Sequence, residues 1–376
     1  MKLKLKNTPE QVELIRALGS KDPVVSAEAA SAFAAFIGPV ISKVIATAGT
    51  ANLFFSDVDY DEDDSPSYPL DLYYNESEGY VTTWSQNIAG GLPTSQVEGV
   101  AEMKIATYRL DSAVSFLKKY ARKSRLDVIS KALERMSQEI LIKQERNAWA
   151  VVLKALAQSD SAYSTGIAGQ GTNNSHIVKT AGSVGYANFQ VGDLSKLLTL
   201  MRRLSTSWSG HTPSGGDSYG LTDLYVSPEV KETIRAFAHT AMDTNNNIAL
   251  PEDVRNDIYR AAGTNEIYGV RITDLLELGI NKKYNTLFST FTAATQYIGH
   301  GSNTAFATGT HEIAVGIDAS REAFIRPVAR QHDSGGSFVA LPDDQFVARA
   351  DKTGFYGFLE EGRVCIDAKA VVGMVI

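Results

Sequence analysis

The sequence predicts an α+β fold. Three observations carry this. Helix start and stop signals punctuate the first fifty residues, an aromatic and β-branched stretch follows, and a run from Leu126 to Gln158 contains no glycine or proline. The chain has 376 residues, 44% hydrophobic and 21% charged, enough for one large core or two smaller ones. Its single cysteine, Cys365, excludes an intramolecular disulfide framework. The start, "MKLKLKNTPE", has no apolar signal core, and "AFAAFIGPVI" amounts to about half a membrane span. A soluble chain is therefore expected, with no membrane contact. The formal charge of −7 weighs against a dedicated nucleic-acid binder.

Thr8-Pro9-Glu10-Gln11 reads as a helix N-cap, a first-turn proline and a capping-box glutamine, and Gly19 as the stop. Asp22-Pro23 opens a second helix with Val25, Ala29, Phe33 and Phe36 or Ile37 on one face. Gly38-Pro39 is expected to end it and open a third helix, closed by Gly49. "DVDYDEDD", Asp57 to Asp64, then packs six acids into eight residues and reads as an acidic loop. From about residue 78 to 110, two alternating segments flank the turn-rich "NIAGGLPTS", which predicts a long β-hairpin. A two-stranded ribbon is marginal alone in water. Few large apolar residues lie near this one's tip, so it needs a surface to lie on.

Leu126–Gln158 is the longest predicted helix, spanning roughly 45 Å at 1.5 Å per residue. Ile129, Leu133, Met136 and Ile140 mark its apolar face, continued by Trp149, Val152, Leu153 and Leu156. Asp127 and Lys131, Arg135 and Glu139, and Glu139 and Lys143 are opposite charges four apart on the polar side. A helix from Asp193 carries Leu194, Leu197, Leu198 and Met201. "DLYVSPEVKETI" is a strand running into a helix capped by Ser227, and "LPEDVRNDIYRAAG" a short helix. "EIYGVRITD" reads as one strand, and the chain is strand-rich from about Ile313 to its end.

Catalytic and ligand motifs are weak throughout. "HDSGGS" holds the Asp-Ser-Gly-Gly found around protease nucleophiles. No histidine segment or disulfide framework accompanies Ser334, so a glycine-rich turn between strands is the better reading and a Ser334 hydrolase the rival of another class. Asp57, Asp59 and Asp61 copy the start of a calcium loop, but Glu62 and Tyr68 stand where it requires glycine and a bidentate acid. "GIAGQG" follows a helix and lacks a Gly-Lys-Ser/Thr, so it is not a phosphate loop. The six histidines are scattered. No catalytic residue, metal or cofactor is predicted.

The order of elements resembles a known family. "VSFLKKYARKSRLDVISKALERMSQEI", "DLYVSPEVKETI", "EIYGVRITD" and "EEGRVCIDAKAVVGMVI" resemble, in this sequence and spacing, the major capsid proteins of tailed double-stranded DNA bacteriophages, the Hong Kong 97-type capsid fold shared with encapsulin shells. The resemblance runs from about residue 50 onward. The helix signals give an N-terminal helical arm at 1–50, a departure from the family's often extended arm, and the resemblance implies an acidic loop with an extended hairpin lying over a neighbouring subunit at 51–110. It further implies a peripheral domain at 111–180 with spine helix 126–157, an axial domain at 181–315, and a strand-rich return to the peripheral domain at 316–376. It also implies a non-enzymatic subunit of the virion capsid, assembling with itself into pentamers and hexamers around packaged double-stranded DNA that is bound only non-specifically. A scaffolding protein, a portal and a decoration protein are the further partners it implies. An encapsulin-like compartment is the rival of the same fold, and a small ring-forming head or tail component a third possibility.

On that reading Trp84, Ile88 and Leu92, near the hairpin tip, are expected to touch the neighbour. "KKYARKSR" groups Lys118, Lys119, Arg122, Lys123 and Arg125. A charge match across the subunit boundary is expected between this cluster and Asp57, Asp59, Asp61, Glu62, Asp63 and Asp64.

Overall fold

The computed structural model describes residues 8–61, 64–69, 102–158, 176–180, 189–204, 220–236, 251–253, 256, 265–291, 306–330, 337–343 and 351–376. Glu62, Asp63, Trp84, Ile88, Leu92 and Ser334 lie outside these residues.

In chain order the first elements are α1 (Pro9–Leu18), α2 (Pro23–Ala48), β1 (Ser56–Asp61), β2 (Ser67–Pro69), β3 (Glu102–Lys104), β4 (Thr107–Leu117), α3 (Lys118–Arg122) and α4 (Leu126–Gln158). Next come β5 (Ile177–Lys179), α5 (Val191–Leu204), β6 (Asp223–Val226), α6 (Pro228–Ala236), β7 (Asn265–Ile267), β8 (Val270–Asp274) and α7 (Lys283–Phe291). The chain closes with β9 (Ile313–Ile317), β10 (Phe324–Arg330), β11 (Phe338–Asp343), β12 (Lys352–Gly362), β13 (Val364–Cys365) and β14 (Val371–Val375). Two compact units result. One gathers Met1–Tyr68, Lys104–Ala148 and Ile325–Val364; the other gathers Pro69–Met103, Trp149–Phe324 and Cys365–Ile376.

In the first unit a six-stranded sheet runs β1-β10-β12-β11, with β4 on β12 and β13 on β10. β12 pairs antiparallel with β4 along its whole length, from Lys352 opposite Leu117 to Gly362 opposite Thr107. Ile129, Leu133, Met136 and Ile140 of α4 join Phe33, Ile37 and Ile41 of α2, Phe116, Phe338 and Phe355 in one core. These are the α4 positions its periodicity selected. The acidic run differs from expectation: Ser56–Asp61 is not a loop but a strand, parallel to β10. Beside β2, the Ile105 amide donates to the Pro66 carbonyl at 3.0 Å, so the chain on either side of 70–101 returns to one place.

The N-terminal helices follow their punctuation only in part. Asp22 caps α2 as predicted, accepting from the Val24 amide at 3.0 Å. Thr8 sits at the N-cap of α1 without a side-chain bond, and the Gln11 Oε1 is buried without a partner, so the expected capping box is not formed. Pro39 does not end α2, which runs unbroken for 26 residues. Ala35, whose carbonyl loses its donor to Pro39, and Pro39 itself are both exposed, so water can take the bond. Its Pro23–Ile45 stretch is long and apolar enough to cross a membrane by length and composition, with a mean hydropathy of 1.7, more than the half-span read from sequence. Its Ala29, Phe33, Ile37 and Ile41 are nonetheless buried in the unit's core.

The second unit holds a six-stranded sheet ordered β5-β14-β9-β6-β8-β7. α5 buries Leu194, Leu197, Leu200, Met201 and Leu204 in its core. Ser227 caps α6 through the Val230 amide at 3.1 Å, as the Ser-Pro signal predicts. Trp149, fully buried, meets the Tyr225 ring edge-on at 4.9 Å. One sequence reading is corrected here. "EIYGVRITD" is a hairpin, not one strand: Tyr268 and Gly269 both take positive φ, 54° and 76°, between β7 and β8, the geometry of a two-residue primed turn. Of the strand-rich end, β10, β11 and β12 lie in the first unit's sheet and β14 in the second's. β14 lies between β5 and β9 with all five residues buried, a two-sided apolar run suited to a central strand.

Gly19 ends α1 for a reason other than the one expected. Its φ is −84°, so no left-handed cap is needed. A Cβ there would come within 2.7 Å of the Arg122 backbone nitrogen. Gly19→Ala should therefore destabilise the unit by about 1–3 kcal/mol. Gly192→Ala, in α5 with no atom within 4 Å of its added Cβ, should be neutral or stabilising. Urea titration followed by circular dichroism checks the opposite signs.

Candidate functional site

Strand alternation sets Asp57, Asp59 and Asp61 on one face of β1. The parallel register sets Asp57 beside Arg326 and Asp61 beside Arg330. Arg330 Nη2 lies 2.6 Å from Asp59 Oδ2, and Arg326 Nη1 lies 3.3 Å from Asp57 Oδ1. A polar cavity of about 280 Å³ opens beside them, lined by Ser42 and Ile45 of α2 together with Asp59, Arg330, Ser337 and Leu359.

One strand further in, Glu361 of β12 is fully buried, and its carboxylate receives four donors. Arg326 Nε and Gln144 Nε2 reach Oε2 at 2.7 and 2.9 Å. The Tyr108 hydroxyl and Arg363 Nε reach Oε1 at 2.8 and 3.3 Å. The Arg363 guanidinium also lies 4.8 Å from the centre of the Phe55 ring. One carboxylate thus joins β4, α4, β10 and the end of β12, and through Arg326 it reaches Asp57 of β1. Burial by itself would raise the Glu361 carboxyl. The charges of Arg363 and Arg326 and the bonds from Tyr108 and Arg326 outweigh it and hold the group below the usual range. Burial, then the charge of Glu361 and its hydrogen bond, push the Tyr108 hydroxyl up to about 12.

The basic cluster is used within the chain. Lys118 is only 6% exposed, and its Nζ donates to Ser26 Oγ at 3.2 Å. Arg122 donates to the Gly19 carbonyl at 2.8 Å and pairs with Asp351 at 2.9 Å. The Lys119 ammonium lies 5.2 Å from the Tyr120 ring centre. Lys123 and Arg125 are exposed, as are Asp61 and Asp64. Within the chain Asp57 and Asp59 pair with Arg326 and Arg330 of β10, and Lys118 is buried.

Sequence reasoning missed Arg326, Glu361, Arg363, Gln144 and Tyr108. A signal was present: Arg326 and Arg330 lie four apart in an otherwise apolar strand, matching the spacing of Asp57 and Asp61. Among the described residues, no group of three or more His, Cys, Asp or Glu side chains is placed to hold a metal ion. The arrangement holds strands in register.

Glu361→Gln leaves the buried Arg363 guanidinium without its anion and Arg326 with only the half-exposed Asp57, and should cost about 3–5 kcal/mol. Because the folded carboxyl is held low, its contribution is complete above the ordinary glutamate value of about 4.3 and is lost as pH falls through the lower folded value. The variant should therefore lose less stability than the parent between about pH 6 and pH 3, read from urea midpoints across that range.

No protein-family model matches the chain, and no curated protein matches it. Solved structures do. A chain of the cyanophage Pam1 capsid asymmetric unit is 14% identical, with 86% of this chain and 88% of that one covered at a TM-score of 0.50. One from Microbacterium phage Oxtober96 is 12% identical, covering 87% and 90% at 0.48. One from the head of Helicobacter pylori bacteriophage KHP40 is 11% identical, covering 85% and 86% at 0.44. With the Pam1 chain matched over nearly its whole length, the chain has the α+β fold of a phage capsid protein, the fold that its order of elements resembles.

Proposed function

We propose that the chain is a phage major capsid protein that assembles with itself into pentamers and hexamers, closing an icosahedral head around double-stranded DNA. The observation that carries the reading is the fold shared with the Pam1 capsid chain across 86% of this chain. The sequence agrees independently, because the predicted ribbon between β2 and β4 has too little apolar surface to stand alone in water. A neighbouring copy supplies that surface. The ribbon's root is firm: Ile105 bonds to Pro66, and β4 then runs eleven residues along β12. Rings close when head-to-tail contacts repeat through a rotation that returns to its start. Obligate contacts of this kind bury roughly 2,000 Å² or more.

Light scattering with negative-stain microscopy on the purified protein tests this. Rings, free capsomers or megadalton shells are expected, with nuclease-protected DNA in particles taken from infected cells. A chain that stays monomeric at all concentrations would refute it, and particles filled with protein cargo in place of DNA would make it a compartment shell.

A further inference from the structure

α2 has a second face that its own core does not use. Ser31, Ala32, Ala35, Phe36, Pro39 and Val40 point outward, with Phe36 45% and Val40 37% exposed. A helix on a protein surface ordinarily turns polar residues to water, and one that is apolar all round is covered. Here the outward turns between Glu28 and Lys43 carry no charge at all. The two charges that bound the stripe are placed symmetrically. Glu28 stands seven residues before Ala35, and Lys43 stands seven after Phe36. Both are exposed.

We propose that this face is a two-fold contact between two copies of the chain, the α2 helices packing antiparallel about an axis between Ala35 and Phe36. The pattern is self-complementary, as an isologous contact requires. In that register Glu28 of each copy lies opposite the other's Lys43, so the charge pair forms twice. Phe36 packs on the small Ala35, and Val40 packs on Ser31. The alanines let the helices approach at the short end of the usual 8–10 Å range. Lys43 also has an interaction within its own chain. A single helix pair buries less than the roughly 1,200 Å² of a stable complex. The contact is therefore weak alone and counts where assembly repeats it. In this it rests on the assembly reading, and it names which surface meets which.

Charge reversal tests it without touching the core. Glu28→Lys or Lys43→Glu each place two like-charge pairs across the axis. Each should raise the concentration needed for assembly roughly tenfold at low salt, with the effect fading near about 1 M salt. The double reversal should restore assembly to within about twofold. Ala35→Cys in a Cys365→Ser background should form a disulfide-linked dimer within particles on oxidation. Particles that assemble normally with either reversal and give no cross-link would overturn the contact and leave the assembly reading standing. A parent chain that neither assembles nor cross-links would overturn both. Flotation of the chain with phosphatidylcholine vesicles, without a cross-link, would assign the face to lipid and overturn the contact.

Discussion

Glu361 can be buried only because Arg326 and Arg363 are buried with it. An isolated carboxylate in such a place would give up its charge or unfold its surroundings. The paired group instead fixes where four segments far apart in sequence must meet. Tyr108 and Gln144 complete the carboxylate's bonds, so the root of β4 and the middle of α4 are referenced to the same atoms. Asp57 extends the alternation of charge to β1. The first unit's sheet is held in register at this end by a few directional bonds, and along the rest of β12 by the ladder and the apolar core beneath α2 and α4.

That anchoring matters for the proposed role. A subunit that places a long ribbon on a neighbour transmits load through the ribbon's root. Here the root is β4, bound to β12 over its whole length, with Tyr108 tied to Glu361 at one end and Phe116 in the core at the other. α4 contributes Leu126–Ala148 to this unit. Within this unit the charge cluster acts as a local lock on that root.

Elements whose information is local were legible in the sequence. The periodicity of α4, the Ser227-Pro228 cap of α6 and the Asp22 cap of α2 each act within a few residues. The order of elements sufficed to suggest the fold. What failed was either a local signal overruled by packing or a pairing across long distances in sequence. Pro39 reads as a break, yet the apolar stripe of α2 continues beneath it and the lost bond faces water. Tyr268-Gly269 lacks the Asn-Gly or Asp-Gly pair that marks a primed turn, so the β7–β8 hairpin read as one strand. The site was less legible still. Six acids in eight residues look like a solvated loop until β10 supplies arginines at matching spacing, nearly 270 residues later. Nothing within β12 alone says that Glu361 is buried while Glu360 is not.

The central claim is that the segment between β2 and β3, residues 70–101, lies on another copy of the chain while Glu361 and its arginines hold the root in place. A cryo-electron microscopy reconstruction of purified particles tests it most directly. The expected map traces 70–101 across a neighbouring subunit, with Trp84, Ile88 and Leu92 against that neighbour. A map in which the same residues fold back wholly on their own unit would contradict the claim.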